Sequence, residues 1–147
     1  MNMQEFLESA LLAEPLANNL GLDSAELSAL MGVATNKMMA GRNDEALKLY
    51  SILVLLDPHN HTSQLALANC ALKAGEFELA MQCASSCIAN EPSNPLGYFL
   101  SGSACMGMAH MKEAREDFSD AADLAKAAGN GEMYAEARRL MQQSEIH

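Results

Sequence analysis

Cysteine and histidine are the first residues to weigh for chemistry. Cys70, Cys83, Cys87 and Cys105 share the chain with His59, His61, His110 and His147. Cys83 and Cys87 stand one helical turn apart, a spacing that could supply two thiolates of a tetrahedral zinc site. Such a site needs two more ligands at ordered spacing, and no CxxC or HxxxH run provides them. All four cysteines fall inside apolar periodic segments, where a free thiol behaves as a small buried hydrophobe. Neither a bound metal nor an obligatory disulfide is therefore expected. Nucleophilic catalysis lacks its parts too. Ser85-Ser86-Cys87 lies mid-helix, and no serine, cysteine or carboxylate has an activating histidine at a diagnostic spacing. Gly102 and Gly107 sit in a helical pattern, not in a phosphate-cradling loop. These residues call for a binding protein and not an enzyme, and they call for no cofactor.

Charge narrows what could be bound. The 147 residues carry 19 acids against 9 bases, a net charge of -10. Nucleic acid recognition needs clustered Lys and Arg to neutralise phosphates, and an anionic membrane surface asks for the same. Both are disfavoured. No apolar run approaches 18 residues, so no membrane insertion is expected. The opening "MNMQEFLESALLAEP" has acids among its apolar residues and no basic n-region, unlike a secretory signal. The expected compartment is the cytoplasm.

The elements that must position any binding residues are written in a repeat. Ala46, Ala80 and Ala114 are 34 residues apart; so are Gly41, Gly75 and Ala109, and so are Tyr50, Ala84 and Phe118. Three contiguous units follow, Leu27–Asn60, His61–Asn94 and Pro95–Ala128. Each reads as two helices around a turn. In the first unit Leu30, Val33, Ala34 and the stem of Lys37 form an apolar stripe. Gly41 and Asn43 break that helix, and "NDEALKLYSILVLL" restarts it with acids in the first turn, where the macrodipole favours them. Pro58 stops it. Residues 1–26 hold an amphipathic helix with Phe6, Leu7, Ala10 and Leu11 on its apolar side, ended or kinked at Pro15. Asp23 with Glu26 has the form of an N-cap pair opening the first unit. The turn "AGNG", Ala128–Gly131, leads into residues 129–147, a capping helix with Met133, Ala137, Leu140 and Met141 on one face, as a solenoid end requires. The expected class is all-α.

This register resembles the tetratricopeptide repeat. The small residue at its eighth position is Ala34, Ala68 and Gly102 here, and that at its twentieth is Ala46, Ala80 and Ala114. The departures are Ala84 in place of an aromatic, Leu30 and Gln64 in place of Trp, and Lys126 in place of Pro. A second stripe then acquires meaning. Met31, Thr35 and Met38 recur 34 residues on as Leu65, Asn69 and Leu72, and again as Phe99, Ser103 and Met106. A helix needs only one stripe to pack on its partner. The resemblance implies that these positions line the concave face of a superhelix, with Met39, Lys73 and Leu96 beside them. The groove would offer two apolar rows for an extended peptide. Its central polar row, Thr35, Asn69 and Ser103, would hydrogen-bond the peptide main chain. Tetratricopeptide co-chaperones of the heat-shock proteins grip an acidic C-terminus with a clamp. Here that clamp would require Lys at Met31, Asn at Thr35 and Ala66, and Lys and Arg at Leu96 and Leu100. None is present, which favours an apolar peptide.

Three repeats, an amphipathic N-terminal helix, a short cap, small size and acidity together resemble the class II chaperones of bacterial type III secretion, the LcrH/SycD family. The local likeness is strongest over "KLYSILVLLDPHNHTSQLALANCALKAGEFELA", Lys48–Ala80. The resemblance implies a protein of the bacterial cytoplasm that holds hydrophobic, pore-forming translocator subunits soluble until secretion. It further implies a homodimer formed through Phe6, Leu7 and Leu11. Two other functions fit the same repeats: a general tetratricopeptide interaction scaffold, and a chaperone for a needle or filament subunit of the same system.

Overall fold

A computed structural model describes Asn2 and residues 20–146 of the chain. Phe6, Leu7 and Leu11 lie outside the described residues. Among the described residues seven helices follow one another: α1 Ser24–Met39, α2 Asn43–Leu56, α3 His61–Ala74, α4 Phe77–Asn90, α5 Pro95–Gly107, α6 Met111–Ala127 and α7 Gly131–Ile146. No strand occurs among the described residues. Each helix packs on the next, and α3 also touches α5.

The 34-residue period appears in the helix starts themselves. α3 and α5 begin at His61 and Pro95; α2, α4 and α6 begin at Asn43, Phe77 and Met111. The turn inside each repeat is a Schellman cap, in which a residue in the left-handed region lets the chain bond back across the helix end. Gly41 and Gly75 both take φ of 78°, and Ala109 takes 61°. The closing bonds run from the Arg42 N–H to the Lys37 carbonyl (2.9 Å), from Glu76 to Ala71 (2.8 Å) and from His110 to Cys105 (2.8 Å). The connection between repeats has its own device. Asn60 caps α3 by accepting from the Ser63 N–H (3.2 Å), and Asn94 caps α5 by accepting from the Leu96 N–H (3.0 Å). Asp23 caps α1 through the Glu26 N–H at 2.8 Å. That cap starts the helix at Ser24, upstream of Leu27. Lys126 stands where Pro58 and Pro92 stand in the earlier units, and without a proline α6 runs on to Ala127.

Small residues let the helices approach. Ala46, Ala80 and Ala114 are all 0% exposed. Glycine does the same on α5. A Cβ on Gly102 would lie 2.9 Å from the Phe118 ring, and one on Gly97 would lie 2.8 Å from the Ile88 side chain. The first-repeat stripe differs from expectation in one member. Val33 is 47% exposed. Leu27, Leu30, Ala34 and Met38 make the inward face of α1 instead, a 3-4-4 spacing that leaves Val33 on the helix flank.

One buried polar group ties two neighbouring repeats, and another closes the first repeat on itself. Gln64, 1% exposed, donates from Nε2 to the Pro58 carbonyl and accepts from the Cys87 thiol at 3.9 Å. Tyr50 and Thr35 share a hydroxyl–hydroxyl bond of 3.0 Å. Among the described residues no buried side-chain nitrogen or oxygen is left without a partner, as a well-formed interior requires.

Candidate functional site

The candidate groove residues sit on the three helices that open the repeats. Met31 and Met38 on α1, Leu65 and Leu72 on α3 and Leu96 on α5 are half-buried and pack against one core cluster, whose buried members include Leu53, Leu67 and Leu100. Phe99 and Met106 on α5 pack instead against a second cluster of Cys105, Ala114 and Phe118, to which α7 contributes Leu140 and Met141. Phe99 meets Phe118 edge-on, with centroids 5.7 Å apart and planes at 65°. That geometry favours an aromatic pair beyond its buried area. The stripe is thus partly core and partly surface.

Two cavities open along it. One of about 320 Å³ joins Leu27, Ser28 and Met31 of α1 to Leu53, Asn60 and Thr62. The other, about 240 Å³, places Phe99 opposite Met133 and Glu132 of α7. Leu27, Ser28 and Met133 therefore border the site, although the 34-residue comparison singles out none of them as groove residues. For Leu27 the available signal was its i, i+4 relation to Met31. For Met133 it was the pairing of a cap helix with the last repeat.

The polar row is not equivalent along its length. The Thr35 hydroxyl is already bonded to Tyr50. The Ser103 hydroxyl donates back to the Phe99 carbonyl at 2.9 Å, a bond within its own helix. Asn69 is exposed. Met39 and Lys73 hold corresponding places at the ends of α1 and α3. Met39 is 79% exposed. Lys73 is exposed beside Arg42 and Asp44 at the repeat turn, and its carbonyl accepts from Asn43 at 3.5 Å.

Burial disfavours the thiolate form of all four cysteines. Burial, reinforced by the Cys87 thiol, pushes Cys83 up to about 12. Burial, with Glu91 nearby, pushes Cys87 up to about 11. Burial and then Asp117 push Cys105 up to about 11. A thiol needs a depressed pKa to act as nucleophile or ligand near neutrality. No group of three or more metal-ligating side chains gathers among the described residues. None of the described helices is long and apolar enough to cross a membrane.

Comparison with known proteins bears on the fold that carries these residues. The family model described as tetratricopeptide repeat matches residues 37–100. No curated protein matches the chain. Among solved structures, a T3SS complex from Aeromonas hydrophila is 24% identical with a TM-score of 0.84, over 97% of this chain and 96% of that one. PcrH in complex with the chaperone binding region of PopB is 26% identical with a TM-score of 0.75, over 81% of this chain and 97% of that one. The Yersinia enterocolitica type III secretion chaperone SycD, in complex with a peptide of the translocator YopD, is 21% identical with a TM-score of 0.75, over 84% of this chain and 95% of that one. In fold, the chain is a tetratricopeptide-repeat solenoid matched over most of its length by the translocator chaperones of type III secretion.

Proposed function

We propose that the chain is a secretion chaperone of the bacterial cytoplasm. It holds an extended apolar segment of a type III translocator protein in the concave groove of α1, α3 and α5 and keeps that client soluble. The observation that carries this reading is the likeness to PcrH and SycD, which are solved with the PopB region and the YopD peptide. The half-buried row Met31, Met38, Leu65, Leu72, Phe99 and Met106 supports it, because a segment destined for a membrane aggregates unless its apolar surface is covered. Leu96 and Met39 extend the row, and Lys73 borders it. In the polar row Asn69 takes the main-chain role, since Thr35 and Ser103 are already bonded. A homodimer through Phe6, Leu7 and Leu11 belongs to the same proposal. Light scattering of Leu7→Glu/Leu11→Glu against the parent tests it, and an unchanged mass would refute it.

Each large client side chain buried contributes roughly 1.5–3 kcal/mol, and ordering the peptide offsets much of the sum. A short segment alone therefore binds no tighter than micromolar, and a complete client binds more tightly through contacts elsewhere. The test is co-expression with translocator proteins from the same genome, followed by recovery of a soluble complex. Leu65→Glu should abolish recovery while the helical signal is retained, because it leaves a desolvated carboxylate under the client. Lys48→Glu, on an exposed face, should leave recovery intact. Normal recovery with Leu65→Glu would refute the groove.

A further inference from the structure

A second groove lies on the other side of α5. Phe99, Ser103 and Met106 face the candidate site; Ser101, Cys105 and Met108 are each two residues further on, about 200° around the helix. They form part of a cleft of about 570 Å³ bounded by α4 and α6. Its floor is apolar, made by Met81, Cys105 and Met108. Its rim is acidic on both walls, with the exposed Glu78 on α4 and the exposed Glu113 and Glu116 on α6, while Asp117 sits half-buried below them and accepts from Ser101 at 2.7 Å and Cys105 at 3.8 Å. None of these four carboxylates forms an ion pair with a described residue. The nearest guanidinium on α6 is turned elsewhere: Arg115 donates to the Ser144 carbonyl of α7 at 3.1 Å. No lysine or arginine lines the cleft, and His110 is the one basic side chain in its lining.

We propose that this cleft docks a basic amphipathic segment of a second protein, which places one apolar side chain on the methionine floor and lysines or arginines against the two acidic walls. Charge complementarity selects the occupant. A second copy of this chain, at net charge -10, would be repelled, and an acidic or uncharged apolar segment would leave the rim unpaired. The walls come from successive repeats, so the ligand bridges α4 and α6 on the side away from the client. The two grooves can therefore be filled at once.

The probe is a fluorescein-labelled 14-residue peptide with leucines on one helical face and lysines on the other. Anisotropy with the full chain should show saturable binding that weakens with salt. Glu113→Gln/Glu116→Gln should weaken it by roughly tenfold through the lost rim charges. Asp44→Asn/Asp123→Asn removes the same charge from exposed sites outside the cleft and should leave it within about twofold. A scrambled peptide of the same composition should bind more weakly than the amphipathic one. Absence of binding, equal binding of the scrambled peptide, or equal weakening by both double variants would overturn the proposal. The last two outcomes would mean diffuse attraction to net charge.

Discussion

Ala109 holds φ of 61° where Gly41 and Gly75 hold 78°, and an L-residue with a Cβ resists that region by roughly 1–2 kcal/mol. Ala109→Gly should therefore raise the unfolding free energy read from a urea melt, by about 1 kcal/mol at most once the greater freedom of the unfolded chain is counted. Gly75→Ala should lower it by a similar amount, and purely for backbone reasons, because nothing lies within 4 Å of the added methyl. Gly102→Ala differs in mechanism. The methyl would strike the fully buried Phe118 ring, and overpacking of that kind costs about 1–3 kcal/mol. Asp117 offers a pH test. Burial, and then the carboxylates of Asp120 and Glu116, push its carboxyl above the usual range, against hydrogen bonds from Ser101 and Cys105 that pull it down. The folded state thus holds this proton more tightly than the unfolded chain does, and stability falls as pH rises through the window above the ordinary carboxylate value. Asp117→Asn should raise the melting temperature at pH 7, and the gain should shrink as pH falls into that window. A gain independent of pH would show that the carboxylate charge is not the cause.

Among the helices, α3 has the most to lose from one side chain. Gln64 occupies a position where a large aromatic is usual, yet it is buried and bonds both the preceding turn and α4. Gln64→Leu removes two hydrogen bonds at once and leaves the Pro58 carbonyl unsatisfied, which should cost about 1–3 kcal/mol in a denaturant melt. Ala80, at the crossing of α4 with its neighbours, should respond to Ala80→Leu with a loss of about 1–3 kcal/mol. The helix pairs and their turns were readable from residue types alone, because the features that set them are local: a left-handed turn residue, a small residue at each crossing, a proline after the second helix. The engagement of Thr35 by Tyr50 was not, because it depends on two helices meeting across 15 positions. Nor was the edge-on pairing of Phe99 with Phe118, which needs the crossing angle of α5 and α6. Val33 was misplaced because spacing gives a face but not its edges. The cleft behind α5 was missed because its walls come from two repeats, and no window along the chain contains both.

The molecule as a whole is connected mostly through neighbouring helices, and its buried apolar residues fall into separate clusters, the largest spanning α1 to α5 and others centred on α5, α6 and α7. Stability in such an array is a sum of repeat and interface contributions. Hydrogen exchange should show α3 to α5 protected longest and α1 opening at lower cost, since α1 contributes only Ala34 to the fully buried set. Uniform protection from α1 to α7 would show instead that the repeats unfold as one unit.

Packing that runs mostly between successive helices also gives the chain the mechanics of a spring. A small shear at each junction adds to its neighbours, so the curvature of the α1–α3–α5 face can change over its length without any interface being torn open. Methionines, which re-pack cheaply, stand at Met31, Met38 and Met106 along that face. The proposed groove would thus have the compliance to tighten around a slender segment or spread around a bulky one, with the difference shared as strain among the junctions.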